Sequence, residues 1–431
     1  MADVLHSLRG LRAAAWLAVA LPAVAAAQPG PALDQRADLP PAPLVSEALD
    51  SYPGVLSAAA RIDAARAQAG ALARGPQEIS IQATALRRAV DREGNFAEFD
   101  ATLSRPFRLP GKASLDRKTG AAGIRFAQNE MADARHQAAL ALSQQWFDWV
   151  EAGALAASDA ANIAYLERAL GAVERRAALR DAAALDVDQA RAALSRAKGQ
   201  RADALARAAE ARARLAATFP GIPLPPAPPA PTAPAEPAIG FDMLAKLVIE
   251  RSHEIGAAQA MADREGFAAD RARAERRADP SFGVRAFSER GGMEKGLGVV
   301  ATMPLGGGYR RYQAEEAAAN ARAAAQDLAG VQRSVAAMAA ADKALAETRL
   351  AGWQALAQSA DAANAVAERT IAGGKLGAID LADVLLAQRQ AGDARREEIA
   401  ARMAALRAIL KLEIDSHVVW IDADDHGESA R

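Results

Sequence analysis

Cysteine is absent from the chain. That excludes disulfides, thiolate metal sites, iron–sulfur clusters, a cysteine nucleophile and a lipidated N-terminal cysteine. Aromatic residues are scarce, at 4%, so an ordinary globular core of large side chains is not expected. The charges balance to a net −1, which leaves no electrostatic footprint for nucleic acid. After the N-terminal segment, no uncharged apolar run is long enough for a helix to span a bilayer. Catalytic signatures are missing too: no P-loop, no Gly-x-Ser-x-Gly, no His-Glu-x-x-His and no paired-histidine spacing. The five histidines (His6, His136, His253, His417, His426) are scattered along the sequence. No catalytic residue, metal site or cofactor is therefore expected, and the chain does not read as an enzyme.

What is present points to helices. Of the 431 residues, 51% are apolar and 24% charged, which is not a disordered composition. About a quarter are alanine, the best helix former and one that lets helices pack closely. Residues 1–27 have the layout of a secretory signal: Arg9 and Arg12 are basic, Ala13 to Ala23 is apolar, and Val24-Ala25-Ala26-Ala27 offers small residues for cleavage. For an exported chain without an apolar spanning helix, a β-barrel is the remaining way through a membrane.

Residues 220–237 hold nine prolines and read as a stiff extended linker. The segments on either side, 28–219 and 238–415, repeat one another, and 416–431 is a tail. Each half begins with an alanine-rich helix (43–74 and 241–277) and continues into a short alternating region. Each region ends at similar punctuation: Arg105-Pro106-Phe107-Arg108-Leu109-Pro110-Gly111-Lys112, and Met303-Pro304-Leu305-Gly306-Gly307-Gly308. Pro106 and Pro304 are 198 residues apart, and the later motifs Ala184-Leu185-Asp186-Val187 and Ala378-Ile379-Asp380-Leu381 are 194 apart. Two such similar offsets indicate tandem duplication. Gly306-Gly307-Gly308 lacks the Lys-Ser/Thr of a phosphate loop and reads as a strand-to-helix exit.

Long helices are predicted over 112–180 and 185–217, and over 309–371 and 378–412. Sixty-odd residues span roughly 95 Å. Ile163, Leu166, Leu170 and Val173, and again Val331, Val335, Met338 and Leu345, have coiled-coil seam spacing. Strands are predicted over 77–86, 96–105, 281–288 and 296–303. Ile79, Ile81, Ala83 and Ala85 alternate with Ser80, Gln82 and Thr84. Phe99, Ala101 and Leu103 oppose Asp100, Thr102 and Ser104. Phe282, Val284 and Ala286 oppose Ser281, Gly283 and Arg285, and Leu297, Val299, Ala301 and Met303 oppose smaller or polar residues. This is the apolar-out, polar-in pattern of an outer-membrane barrel. The charged segments 87–95 and 289–295 are expected as hairpin tips in water. Four strands cannot close a barrel, and lipid forbids an open edge, so spanning strands require an oligomer.

A signal segment followed by a duplicated helix–hairpin–long helix–turn–helix unit resembles the TolC family of outer-membrane efflux channels, over about residues 43–415. The run Gly373-Gly374-Lys375-Leu376-Gly377-Ala378-Ile379-Asp380-Leu381-Ala382-Asp383-Val384-Leu385 looks like the family's inter-helix tip. Leu109-Pro110-Gly111-Lys112 is similar to the heavy-metal (cobalt–zinc–cadmium type) branch. The resemblance implies a fold of mainly α with β: a long α-helical coiled-coil barrel continuous with a 12-stranded transmembrane β-barrel shared by a homotrimer. It implies a passive exit duct in the bacterial outer membrane, extending into the periplasm and served by a periplasmic adaptor and an inner-membrane pump. The alternatives are a periplasmic adaptor, which usually has one hairpin within lipoyl and barrel modules, and a structural coiled-coil protein of the envelope.

Two groups of residues follow. Asp380 and Asp383, at i and i+3 after the second-half turn, would become stacked carboxylate rings in a trimer and form a cation-attracting pore aperture; similar aspartates line the aperture in the family. The bland reading is a pair of solvated first-turn acids favoured by the helix dipole. Asp186 is expected to cap its helix at the equivalent place in the first half. The turns near 180–186 and 373–379, farthest from the strands, are the expected adaptor-docking end. Their small residues Ala182, Ala183, Ala184, Gly373, Gly374 and Gly377 would allow close backbone approach. Asp422, Asp424, Asp425 and His426 read as an acidic tail.

Overall fold

The computed structural model describes residues 36–421; the expected signal segment and the acidic residues of the tail lie outside them. The chain runs α1 (Ala42–Asp50), α2 (Pro53–Arg74), β1 (Ser80–Val90), β2 (Gly94–Pro106), α3 (Lys112–Ala178) and α4 (Ala184–Thr218). It then repeats as α5 (Phe241–Glu250), α6 (His253–Glu275), β3 (Ser281–Glu289), β4 (Glu294–Thr302), α7 (Gly308–Lys375) and α8 (Leu381–Asp415). Helix lengths repeat almost residue for residue. They are 9 and 10 in α1 and α5, 22 and 23 in α2 and α6, 67 and 68 in α3 and α7, and 35 in both α4 and α8. Among the described residues, no helix is long and apolar enough to cross a membrane.

Each long helix is a rail of about 100 Å with two shorter helices laid end to end beside it. Val55 of α2 shares a buried cluster with Leu142, Phe147 and Trp149 of α3. Farther along α3, Leu155 meets Ala204 of α4, and Ile163 and Leu166 meet Leu194 and Ala197. The second rail follows suit: Val335 and Ala339 of α7 pack on Ile409 and Leu412 of α8, and Ala367 packs on Ala387 and Ala391. The expected seam is correct for Ile163, Leu166, Val173 and Val335, but Leu345 is exposed. Ala339 and Ala346 are the buried residues there. In a helix this rich in alanine, the close contact follows the small residues, and a larger side chain is turned outwards.

The strands form one antiparallel sheet in the order β1-β2-β3-β4. β2 and β3 pair from Phe99↔Ser288 to Pro106↔Ser281, although α3 to α6 separate them in sequence. The register puts the four apolar sets on one face: Ile81, Leu103, Val284 and Val299 stand in a single cross-strand row. Ile81 is 75% and Val299 84% exposed. The opposite face carries Gln82, Thr102 and Arg285 in one row. There Arg88 pairs with Glu98 at 2.7 Å, and Arg285 pairs with Asp100.

The hairpins reach farther than expected. β1 continues through Arg87 and Arg88 to Val90, and β2 begins at Gly94, so the first tip is only residues 91–93. The second tip is the 3-10 turn Arg290–Gly292. Charge marks the edge of an apolar band, not the end of a ladder: Arg88 stays in the strand because Glu98 neutralises it across the pair.

The proline-rich segment straps the bundle together. Phe219 and Ile222 enter the main core, and Thr232 Oγ1 donates to Asp38 Oδ2 at 2.8 Å. Pro228 crosses α3 at Gly153, where a Cβ would lie 2.1 Å from the proline ring. The first residues of the tail are also part of the fold: Ser416, His417 and Ile421 are buried.

Candidate functional site

Both helix turns have the same construction. At the α3–α4 turn Leu179 is the C-cap, Arg180 follows with φ 61°, and Asp181 N donates to Arg176 O at 2.8 Å. At the α7–α8 turn Leu376 is the C-cap, Gly377 has φ 74°, and Ala378 N donates to Gly373 O at 3.0 Å. This is the Schellman pattern, in which a left-handed residue lets an amide reach back to the last helical carbonyls. The first turn carries arginine at that position, and Arg176 braces it by donating to the Asp181 carboxylate at 2.9 Å.

This correspondence corrects the motif alignment. Ala183 is the N-cap of α4 and Asp380 the N-cap of α8. Asp186 and Asp383 both occupy the third helical position, so Asp186 corresponds to Asp383 and not to Asp380. Asp186 is not the N-cap residue. It closes its turn from inside, accepting the Ala183 N–H at 3.1 Å. The two Asp-hydrophobic motifs match locally, but the cap geometry sets the register three residues away. Asp380 makes no side-chain hydrogen bond to its helix, and both Asp380 and Asp383 are exposed.

The glycines divide by role. Gly373 and Gly374 belong to the last turn of α7, not to the loop. A Cβ on Gly373 would lie 2.5 Å from Ile379 Cδ1, and one on Gly374 would lie 2.7 Å from Val384 Cγ2. They let α7 and the α8 entry touch. Gly377 has open space around it and is needed for its positive φ. Ala182 is half-buried, while Ala183 and Ala184 are exposed. Leu179, Leu185 and Leu376 are exposed around the turns. Above the turns, α3, α4 and α8 enclose a groove of about 450 Å³ lined by Asn162, Gln189, Arg196 and Arg389. Arg396 closes one side, donating to both Asp159 oxygens at 2.7 and 2.6 Å.

At the opposite end, Lys112 is 1% exposed. Its Nζ donates to Arg277 O and Asp279 Oδ1, each at 2.7 Å, and lies 3.0 Å from Glu275. Arg108 and Arg271 share Asp116 at 3.0 and 2.8 Å, and Arg310 reaches Glu275 at 2.8 Å. Burial pushes the Glu275 and Asp279 carboxyls up, but hydrogen bonds from Arg271 and Lys112 to Glu275, and from Lys112 and the Leu109 amide to Asp279, outweigh it. Both end below their ordinary values. The Gly-Lys pair thus has a structural explanation: it locks the strand exit of the first half to the strand entry of the second.

The three histidines among the described residues meet in space. His253 stacks on His417 with ring centroids 4.5 Å apart, and His417 meets His136 edge-on at 5.8 Å. His136 Nε2 lies 2.9 Å from Asp415 Oδ1, and Lys411 bonds the other Asp415 oxygen at 2.6 Å. Beside them stand Asp133 and Glu254. Asp133-x-x-His136 puts two metal-binding residue types on one helix face and was the signal to notice; Glu254 comes from α6 and could be found only through the fold.

No family model matches the sequence, and no curated protein matches it either. Solved structures do. A membrane protein from Pseudomonas aeruginosa is 19% identical, with a TM-score of 0.72 over 90% of this chain and 91% of that one. The outer membrane protein VceC from Vibrio cholerae is 17% identical, with a TM-score of 0.72 over 86% and 95%. The CmeC outer membrane channel of Campylobacter jejuni is 15% identical, with a TM-score of 0.70 over 87% and 84%. At these identities the likeness is one of fold, and the fold of this chain is that of VceC and CmeC: a four-stranded sheet continuous with paired rails of long helices.

Proposed function

We propose that the chain is an outer-membrane channel of the TolC type, the passive exit duct of a tripartite export system. The observation that carries this reading is the exposed apolar row Ile81-Leu103-Val284-Val299, backed by a polar face with paired charges. A sheet with one face for lipid and one for water is a barrel wall. β1 and β4 are its two edges. Pairing β4 of one copy with β1 of the next is a head-to-tail contact that closes into a ring; three copies, as the family resemblance implies, give 12 strands. The rails continue away from the sheet by about 100 Å, which suits a periplasmic tunnel.

The turns at the far end are then the site for an adaptor. Exposed Leu179, Leu185 and Leu376 supply the apolar contacts, and Ala182, Ala183, Ala184, Asp186, Gly373, Gly374 and Gly377 shape the turns that present them. Asp380 and Asp383 would face the axis as the aperture. Because Lys112 serves the junction, the proposal is made for the channel family as a whole and not for its heavy-metal branch.

Single cysteines at Asp91, in the first hairpin tip, and at Met293, directly after the second, test the reading in a cysteine-free chain. Both should react with a membrane-impermeant maleimide on intact cells, while a cysteine at Leu376 should react only after the outer membrane is permeabilised. Labelling of Leu376→Cys alone, or of none of the three in well-expressed protein, contradicts the channel.

A further inference from the structure

We propose that Asp133 and His136 of α3 and Glu254 of α6 form a binding site for a divalent transition-metal cation of the zinc type. One ring nitrogen of His136 and one carboxylate oxygen each from Asp133 and Glu254 lie within 4.8 Å of one another. His136 is 4% exposed, and its Nδ1 makes no hydrogen bond to any described residue. A buried imidazole nitrogen without a partner costs free energy unless something fills its lone pair.

The tautomer follows from the other side of the ring. Asp415 holds the ring with Oδ1 and accepts from the Lys411 ammonium at 2.6 Å with Oδ2, the setting of a carboxylate paired with a cation. An ionised carboxylate only accepts hydrogen bonds, so His136 Nε2 carries the proton it donates to Asp415. In the neutral ring Nδ1 then presents its lone pair. Carboxylate, imidazole and open nitrogen in a line is the arrangement that orients metal-binding histidines. The carboxylates are steadied in turn: Gln137 Nε2 donates to Asp133 Oδ1 at 3.3 Å, and Ser252 Oγ donates to Glu254 Oε2 at 2.6 Å.

The donor set selects the ion. One imidazole and two carboxylates suit zinc and its neighbours, whereas magnesium and calcium prefer all-oxygen cages. Two facing carboxylates repel one another until a cation sits between them. Ligand atoms about 2.1 Å from a tetrahedral zinc stand roughly 3.4 Å apart, so binding draws in Asp133 and Glu254. Both are half-buried. The consequence is mechanical: the ion ties α3, from the first repeat, to the start of α6, from the second, about a third of the way along α3 from its sheet end. It is a resident ion and is independent of what the chain exports.

The test uses the full chain purified in detergent, stripped with a chelator and titrated with zinc sulfate while free zinc is read by a fluorescent chelator. One zinc per chain is expected. Glu254→Gln and Asp133→Asn should each weaken binding about tenfold or more, and Asp415→Asn, which acts through the ring, about ten- to a hundredfold. Asp188→Asn, on the exposed face of α4 and outside the site, should bind like the parent. Far-UV circular dichroism confirms that the variants keep the fold. Absence of zinc uptake by the parent overturns the proposal. So does uptake that Glu254→Gln and Asp133→Asn leave unchanged, since the ion would then lie elsewhere.

Discussion

Lys112 Nζ lies 2.7 Å from Asp279 Oδ1, where the first half turns from sheet to helix and the second from helix to sheet. The ammonium is buried, and Glu275 lies 3.0 Å away. Removing one partner of such a pair leaves an uncompensated charge and costs about 3–5 kcal/mol. Lys112→Met should therefore lower the urea midpoint clearly, whereas Lys118→Met, on the same helix, which loses only the ammonium 5.5 Å from the Phe267 ring, should change it much less. Acid should act in the same place. The folded-state values of Asp279 and Glu275 are depressed, so their stabilisation is complete above the unfolded values near 4 and is lost as pH falls through the lower folded ones. Denaturation midpoints measured downwards from pH 5 should fall less steeply in Lys112→Met than in the parent.

The turns make a reciprocal pair of predictions. Arg180 and Gly377 occupy the same left-handed position, and only one of them is glycine. A side chain there costs roughly 1–2 kcal/mol, partly offset by the greater unfolded-chain freedom of glycine. Arg180→Gly should slow amide exchange across 176–184, a gain of about 0.5–1 kcal/mol. Gly377→Ala should speed exchange across 373–381 by a similar amount. If both changes leave exchange untouched, the backbone at these turns is not held as described.

Pattern and geometry divided the work unevenly. The alternation in the strands was legible because a period of two assigns every side chain to a face, and the register gathers Ile81, Leu103, Val284 and Val299 as that assignment requires. The hairpin tips were misplaced because Arg87 and Arg88 look like loop residues until Glu98 is seen beside them. The turn alignment slipped by three residues because Ala-Leu-Asp-Val and Ala-Ile-Asp-Leu match as strings, while Arg180, which takes the place of Gly377, carries no glycine signal. The histidines show the plainest limit. His136, His253 and His417 belong to three separate segments, and nothing local to any of them records that α3, α6 and the end of α8 converge.

The sheet proposal has its own mutational signature. At a lipid-facing position near the bilayer midplane, arginine costs about 2–4 kcal/mol. Val284→Arg should therefore lower the yield of heat-modifiable oligomer and its urea midpoint. Thr102→Arg, in the neighbouring row on the opposite face, should be tolerated. Equal sensitivity on both faces would point to a sheet buried in protein and not to a barrel wall.

The aperture prediction turns on what Asp380 and Asp383 face in the assembly. Within one chain both are exposed, and Asp380 holds the N-cap position without bonding its helix. If each meets two symmetry mates across a narrow axis, six carboxylates crowd together in two stacked rings. Like charges at that spacing oppose ionisation and attract counter-ions. Replacing both residues with alanine should then raise single-channel conductance in planar bilayers and weaken block by multivalent cations. An ordinary helix start predicts something else: loss of the acid at the third helical position costs about 0.3–1 kcal/mol through the helix dipole, with conductance and cation block as in the parent. The shared position of Asp186 and Asp383 sharpens the comparison. Asp186→Ala, which removes the carboxylate that accepts the Ala183 N–H, should cost helix stability without changing conductance. A conductance change in Asp380→Ala/Asp383→Ala but not in Asp186→Ala places the second-half acids on the axis. Unchanged conductance in both variants returns all three to capping and solvation.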